Sequence, residues 1–321
     1  MKLSEEISAR LLRDIFEEVH NELKKSNFRY VKIERPERSD KRSIDIIAWS
    51  QNDNKKRIHL KITVDSAQIS GDELRDLKAM SRASSSKPLI IGEFERKIDL
   101  HDEVIYMKDD VPVINPTTLS RLLEKSKDLY IISRRGEFVV KIKGEKLRKK
   151  REELGYSLGE VAERLGVSRK AIYEYERNTF GVRIDYAEDL LDMFGEDIAE
   201  PFDIFSHEPK IVPSQEKVES RVEREIAEVL RSLGADIYST KKTFFDLAAK
   251  VGSKGLLIGY ERASSPLSIR EKAEELAKIS EFDDIMGIIV LREGSEKMRE
   301  LSEGEVKYVE ERRIGSIKEL I

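Results

Sequence analysis

Arg169, Lys170, Tyr173 and Glu174 are the side chains of this 321-residue chain best placed to act on a polyanion. They follow Ser168 in a stretch where Ile172 and Tyr175 sit at the i, i+3 spacing of an inward helical stripe, so the four face out from the helix's N-terminal half. Arg or Lys presented there can pair with guanine O6 and N7. The approach to them, 141 to 151, carries Lys141, Lys143, Lys146, Arg148, Lys149, Lys150 and Arg151 against Glu145 alone, seven positive charges minus one. Such a run beside the helix suits phosphates.

The elements that position these residues are legible from their ends. Ser157 is a natural N-cap, and Glu160, three residues on, can reach back to the Ser157 amide, so a capping box starts one helix. Val161, Ala162 and Leu165 share a face; Gly166 can take the left-handed conformation that ends the helix, Val167 plugs the corner, and Ser168 caps the next helix. The expectation is two helices joined by a tight turn. An ordinary helical hairpin with a solvated charged face is the plain alternative, and the basic run weighs against it.

Leu165-Gly166-Val167-Ser168, then Ile172 and Glu176-Arg177, resembles the Cro/CI-type (XRE) helix-turn-helix over about 55 residues. The resemblance implies that Arg169, Lys170 and Glu174 read base edges, that Ser157, Ser168 and Arg177 touch phosphates, and that Arg151 and Glu176 form a structural ion pair. Two positions depart from the family: Leu158 stands where Gln is usual, and Asn178 where Gly is usual. Leu158 removes one expected phosphate contact, whereas Asn tolerates the left-handed conformation nearly as Gly does.

The whole chain holds 59 basic and 63 acidic residues, a net charge of -4, so any affinity for nucleic acid must be local. Its length predicts two or three domains, and 39% hydrophobic content is enough for ordinary cores. With no cysteine there is no disulfide framework and no thiol chemistry. His20, His59, His101 and His207 lack metal-ligand spacing, so no metal and no cofactor is expected. No apolar run approaches the roughly 20 residues of a membrane span, and the N-terminus reads as a charged helix rather than a signal peptide, so the expectation is cytoplasmic. The 38% charged content without cysteine is consistent with a thermophile.

Leu3, Ile7, Leu11, Ile15, Val19 and Leu23 recur at period four and predict a helix over about 4 to 25. Strands are expected at Phe28–Ile33, Ser43–Trp49 and Arg57–Thr63, with a polar hairpin at Gln51–Asn54. A helix from Gly71 to Arg82 follows, then strands at Pro88–Ile91, Val104–Met107 and Val111–Ile114, a helix Pro116–Lys125 capped by Asn115 or Thr117, and strands at Leu129–Ile132 and Phe138–Ile142. Pro201, Pro209 and Pro213 mark 201 to 214 as a linker. Beyond it the plan recurs: a helix with Val218, Val222, Ile226, Val229, Leu230 and Leu233, then Ala235–Tyr238, Phe244–Ala249, Leu256–Tyr260, a helix from Leu267, and Ile285–Val290. Val306–Val309 and the helix Ile314–Ile321 are read as counterparts of Val104–Met107 and the helix from Thr117. Domains are expected at 1–140, 141–206 and 207–321.

The order helix, three strands, helix, strand, with an Asp in a hairpin strand, resembles the restriction-endonuclease-like, or PD-(D/E)xK, fold. In active members the Asp and a carboxylate two residues before a Lys hold Mg²⁺, and the Lys orients the water. Carried onto this chain, Asp45 takes the Asp position, Lys61 the Lys position and His59 the carboxylate position. Imidazole is a poor ligand for so hard a cation, so the set is a degenerate remnant unless Asp65, Glu17 or Glu18 supplies the missing carboxylate. In the second copy Asp246 survives, but Leu257 and Gly259 stand where a carboxylate and a Lys are required.

The arrangement is similar to an archaeal family of HTH-type transcriptional regulators with a central XRE domain between α/β arms. The fold expected is α/β plus all-α: two duplicated, degenerate restriction-endonuclease-like units flanking a five-helix Cro/CI-type domain. The function expected is non-enzymatic, sequence-specific binding of double-stranded DNA by a homodimer on a palindromic operator, with any small-molecule effector unknown. A Mg²⁺-dependent nuclease or repair factor is the second reading, and an architectural DNA-binding protein the third.

Overall fold

Ile15, Val19 and Leu23, the inner members of the period-four stripe, are buried on α1 (Lys2–Lys25) in the computed structural model, which describes residues 2–38, 41–53, 55–124, 128–134, 136–177, 181–213, 220–261, 267–279, 284–292 and 306–321. The stripe covers one face of a sheet begun by β1 (Phe28–Lys32), β2 (Ile46–Ser50) and β3 (Arg57–Ile62). Next come α2 (Gly71–Ala83), β4 (Lys87–Ile91), a small hairpin of β5 (Phe94–Glu95) and β6 (Ile98–Asp99), then β7 (Val104–Lys108), β8 (Val111–Ile114) and α3 (Pro116–Glu124). Asn115 accepts the Thr118 amide at 2.9 Å, the expected cap; Lys125 and Asn54 lie outside the described residues. β9 (Ile131–Arg134) and β10 (Glu137–Ile142) extend the sheet.

β10 runs through position 140 and joins two parts of the molecule. Its residues Val139 and Val140 pair with β9 on one side and, on the other, with β11 (Val182–Arg183), which follows α4 (Gly144–Glu153), α5 (Leu158–Leu165) and α6 (Arg169–Glu176). After α7 (Ile184–Phe194) and a 3-10 turn at Glu196–Ile198, β12 (Ala199–Glu200) pairs with Lys141 and Ile142. The expected five-helix region thus comprises, among the described residues, four α-helices and one 3-10 turn. The stretch read as a linker is fastened down where it is described: Phe202 and Ile204 are buried in the α1 core, and the Phe202 amide bonds the Leu129 carbonyl at 2.7 Å.

The C-terminal part contains α8 (Arg221–Arg231), β13 (Asp236–Ser239), β14 (Leu247–Val251), β15 (Lys254–Tyr260), α9 (Ile269–Lys278), β16 (Ile285–Leu291), β17 (Lys307–Glu310), a 3-10 segment Glu311–Ser316 and α10 (Ile317–Leu320); Val218 lies outside the described residues. The sheet order is β13-β14-β15-β16-β17, antiparallel for the first two pairings and parallel for the last two. β1-β2-β3-β4-β8 has the same order and the same senses. β17 therefore occupies the place of Val111–Ile114, not of Val104–Met107 as the sequence reading has it. Linear order misleads there because β7 is inserted before β8 and turns back on it.

The two sheets share one core. Leu77 and Met80 of α2 pack together with Ile47 and Ile90 of the first sheet and Ala248 and Leu257 of the second, and Leu276 of α9 joins them. α2 is thus buried on both sides, as a helix between two sheets must be. Polar residues on it need partners there. Asp76 is one: its Oδ2 accepts the amides of Lys242 at 2.7 Å and Lys241 at 3.0 Å and the Ser43 hydroxyl at 3.3 Å, tying α2 to loops of both parts. Burial raises its pKa to about 6 against those hydrogen bonds.

A folded-state pKa above the unfolded one means that protonation favours the folded form, so this contribution is full below about pH 4 and is lost as pH rises through about 6. At about 1.4 kcal/mol per pH unit, the wild type should gain about 3 kcal/mol over Asp76→Asn as pH falls from 7 to 4. Urea unfolding of both proteins across that range checks it, since other titrating groups cancel in the difference. A difference that stays flat removes Asp76 as the cause.

Candidate nucleic-acid interface and buried carboxylate sites

α5 and α6 begin as their sequences dictate. Ser157 Oγ accepts the Glu160 amide at 3.2 Å while the Ser157 amide donates to Glu160 Oε2 at 2.7 Å, and Ser168 Oγ accepts the Ala171 amide at 3.1 Å. Gly166 closes α5 at φ 67°. Val161, Leu165 and Ile172 are buried against Leu147, Leu190 and Phe194. Each capping hydroxyl thus accepts the amide three residues on, and that of Ser157 also bonds the Glu160 carboxylate.

Arg169, Lys170 and Tyr173 are exposed on α6, with Arg177 exposed just past its end and Glu174 partly buried. The Arg169 guanidinium folds back over the start of α5: a Cβ built on Gly159 would lie 2.9 Å from its Nε. The side chain therefore spans the N-termini of both helices. Arg177 donates to the Tyr173 hydroxyl at 2.9 Å, its charge 5.5 Å from the ring centroid. α6 is pinned from behind by Arg151 of α4, which forks onto both carboxylate oxygens of Glu176 and donates to the Tyr156 carbonyl at 2.9 Å. Asn178 lies outside the described residues.

The basic run divides. Lys149 is exposed, 3.7 Å from Glu153. Lys150 turns inward: it donates to the Phe194 carbonyl at the end of α7 at 2.6 Å and pairs with Asp197, as Lys146 does at 2.6 Å. These two ammonium groups hold the Asp197 carboxyl down at about 2. Arg148 is taken up by Glu152 at 2.9 Å.

Asp45, His59 and Lys61 lie on the inner face of the first sheet, and each is engaged. Asp45 Oδ1 accepts from Arg42 Nε at 2.7 Å and Oδ2 accepts the Ile62 amide at 2.7 Å, with Lys61 Nζ 3.3 Å away. Lys61 also donates to the Arg42 carbonyl at 2.8 Å. His59 is fully buried, with Ser81 Oγ 3.2 Å from Nδ1 and Ser84 Oγ 3.4 Å from Nε2. Burial, reinforced by the Arg57 charge, lowers its pKa to about 3, so the ring is neutral.

The carboxylate beside Lys61 is none of the three expected to migrate in. Glu17 and Glu18 are exposed on α1, and Asp65 staples a loop by accepting the amides of Ala67, Arg96 and Lys97 at 2.9 to 3.0 Å. Glu73 takes the place instead, with Oε1 3.8 Å from Lys61 and Oε2 3.2 Å from Lys242 of the C-terminal part. Its Ser70-x-x-Glu73 spacing reads as a capping box, which it also forms, and that hid its second contact. A depression of about 430 Å³ beside α1 reaches Lys61 and Glu73, but the ammonium of Lys61 fills the space between Asp45 and Glu73.

The second sheet repeats the carboxylate with a different cation. Asp246 Oδ2 accepts the Tyr260 amide at 2.8 Å, as Asp45 accepts that of Ile62. Where β3 has Lys61, β15 has Gly259, and Lys272 reaches over from α9 to Asp246 at 2.7 and 2.9 Å and to the Tyr260 carbonyl at 2.8 Å. Glu223 of α8 is buried too, accepting from the hydroxyls of Ser239 at 2.8 Å and Tyr260 at 2.9 Å. The signal for Lys272 was in the sequence: it lies four residues before Leu276, on the apolar stripe of its helix.

Breaking one side of a buried pair leaves an uncompensated charge and costs about 3–5 kcal/mol. Lys272→Met should show that loss in chemical unfolding, and adding Asp246→Asn should recover much of it. Equal stability of Lys272→Met and wild type would remove the pair from the core's energetics.

Residues 12–128 match the PD-(D/E)XK superfamily domain, and residues 147–200 match a helix-turn-helix family. A protein of Pyrococcus furiosus named "Putative HTH-type transcriptional regulatory protein" is 32% identical over 238 residues, 74% of this chain and 75% of that protein. Proteins of the same name from Sulfolobus acidocaldarius and Sulfurisphaera tokodaii are each 33% identical, the first over 84% of this chain and 85% of its own length, the second over 88% and 91%. No solved structure matches the chain. With a PD-(D/E)XK superfamily domain followed by a helix-turn-helix, the chain belongs to the archaeal family of HTH-type transcriptional regulatory proteins that these relatives represent.

Proposed function

We propose that this protein is a sequence-specific, double-stranded DNA-binding transcriptional regulator of the Cro/CI (XRE) type, a homodimer on a palindromic operator and not an enzyme. The observation that carries the reading is α6: capped by Ser168, pinned by Arg151–Glu176, and exposing Arg169, Lys170 and Tyr173 on one side. In this reading Arg169, Lys170 and Glu174 read bases, while Ser157, Ser168, Arg177 and Lys149 hold phosphates. Lys150 reaches a phosphate only by leaving Phe194 and Asp197. Half-sites would lie about 34 Å apart, one helical turn, with two chains per duplex. Units at 1–140 and 207–321, duplicates of one restriction-endonuclease-like fold, flank the reader at 141–206; their matching strand order and paired Asp45 and Asp246 support duplication.

Operator selection from random DNA supplies the test. Arg169→Ala should lose about 1–3 kcal/mol on the selected site and little on random DNA. Lys149→Ala should weaken both equally and flatten the salt slope by about one unit. Equal losses on both DNAs for Arg169→Ala would end its role in base reading, and one chain per duplex would end the dimer.

Neither α/β unit is read as a nuclease, because an ammonium group already balances each buried Asp: Lys61 at Asp45 and Lys272 at Asp246. A hard divalent cation needs several oxygen ligands and here would have to expel that ammonium. Incubated with supercoiled and branched DNA in Mg²⁺ or Mn²⁺, the purified protein should leave both intact. Metal-dependent nicking abolished by Asp45→Ala and by Lys61→Ala would overturn the reading.

A further inference from the structure

The segment that leaves β12 toward α8 is anchored on both sides of one acidic residue. His207 Nε2 lies 2.9 Å from the Asp110 carbonyl, and the Lys210 amide donates to Asp110 Oδ2 at 2.9 Å. Between them Glu208 stands over a cavity of about 170 Å³ whose walls come from both α/β parts. Lys78 and Arg82 of α2, Lys87 of β4 and Lys250 of β14 line it, with Ser85 beside them.

Glu208 divides its two oxygens between two cations, Oε2 to Arg82 at 2.9 Å and Oε1 to Lys87 at 3.7 Å. These cations, Lys87 foremost, hold its pKa below the usual glutamate range. Lys78 pairs with Asp109 at 2.7 Å, while Lys250 donates to a neutral acceptor, Ser85 Oγ, at 2.8 Å. Asp110 Oδ1 lies 3.6 Å from His207 Nε2 at the cavity wall, so four cations face three carboxylates, a surplus of one positive charge that becomes two without Glu208. Glu208 itself is loosely held: its side chain is 65% exposed, and exposed ion pairs contribute little.

We infer that this cavity binds a small phosphate-type dianion, inorganic phosphate or a compact phosphomonoester, whose place the Glu208 carboxylate holds in the free protein. A carboxylate spans Arg82 and Lys87; a phosphate group carries further oxygens that reach Lys250 and Ser85 from the same centre, and a second charge to set against the surplus. At roughly 30 Å³ of liquid volume per water, the space has room for an anion the size of a few waters. Binding displaces Glu208 and loosens the 207–210 segment, which links the helix-turn-helix to the C-terminal part. The site stands independently of the DNA-binding reading and is tested without DNA.

The test is calorimetric titration of the full chain with inorganic phosphate at constant ionic strength, against a chloride blank, with hydrogen exchange followed at residues 207–210. Phosphate should bind one per chain and raise exchange in that segment. Glu208→Gln, an exposed change that leaves the core alone, should bind phosphate several-fold more tightly, and Arg82→Gln combined with Lys87→Gln should lose binding while circular dichroism stays native. Phosphate heats no different from chloride in both the wild type and Glu208→Gln would overturn the proposal. So would an affinity that none of these substitutions changes.

Discussion

Charge buried between two sheets constrains this molecule more than any other feature. Asp45, Glu73, Lys61 and Asp76 lie on the inner face of one sheet or on the helix packed against it, and Asp246 and Lys272 lie on the other side of the shared core. Isolated, each would cost several kcal/mol to bury. Each instead finds its counterpart at hydrogen-bonding range, and some counterparts belong to the opposite part of the chain: Lys242 answers Glu73, and the amides of Lys241 and Lys242 answer Asp76. The two sheets therefore have one relative placement that satisfies these groups. Apolar contacts of Leu77, Met80, Phe244 and Leu276 supply the driving force, and the polar contacts set the register.

The same constraint changes what a nuclease-like scaffold can do. A constellation that could hold a cation in one fold here holds ammonium groups of the protein itself. The two units solve the problem differently, with a strand lysine in one and a helix lysine in the other. The exchange is sterically coupled: a Cβ on Gly259 would lie 3.4 Å from Lys272 Cδ and 2.9 Å from an Ile289 methyl, so a side chain at 259 would crowd the path that Lys272 takes. Likeness of scaffold does not by itself imply likeness of activity. What the scaffold does provide is a rigid mount, because β10 is at once a strand of the first sheet and the partner of β11 and β12, which bracket α7. Strand hydrogen bonds thus join the helix-turn-helix region to the first sheet at 182–183 and 199–200.

Much of this was legible in the chain. Helix starts were announced by Ser157-x-x-Glu160 and Ser168, and the strands by β-branched runs, because those signals are local. The pairing of Arg151 with Glu176 followed from a motif. The reading fell short where a residue's meaning depends on distant packing. Glu73 satisfies a local capping rule, so nothing local marks it as the partner of Lys61. Lys272 breaks the apolar stripe of α9, a visible anomaly, but its partner lies 26 residues away. β11 and β12 are two residues each, too short for any periodicity, and exist only because β10 offers both edges.

The distribution of charge around α4 bears on how such a protein recognises DNA. Seven basic residues between 141 and 151 suggest strong, indiscriminate attraction to phosphate, yet most of them already have a partner within the protein. Lys146 and Lys150 neutralise Asp197, Arg148 meets Glu152, Arg151 meets Glu176, and Lys141 lies 5.9 Å from the Phe202 ring centroid. Each phosphate contact contributes about one unit to the salt slope, so a cation here that is held by a carboxylate of the protein adds its unit only by giving up that partner. The net charge of -4 over the chain adds nothing to that attraction. Arg169, Lys170 and Arg177, exposed on α6 or just past its end, then weigh more heavily in the balance. On the reading proposed above, which puts Arg169 and Lys170 at the bases, such a surface would draw most of its affinity from sequence-specific contacts, the property a regulator needs and a general DNA-coating protein does not.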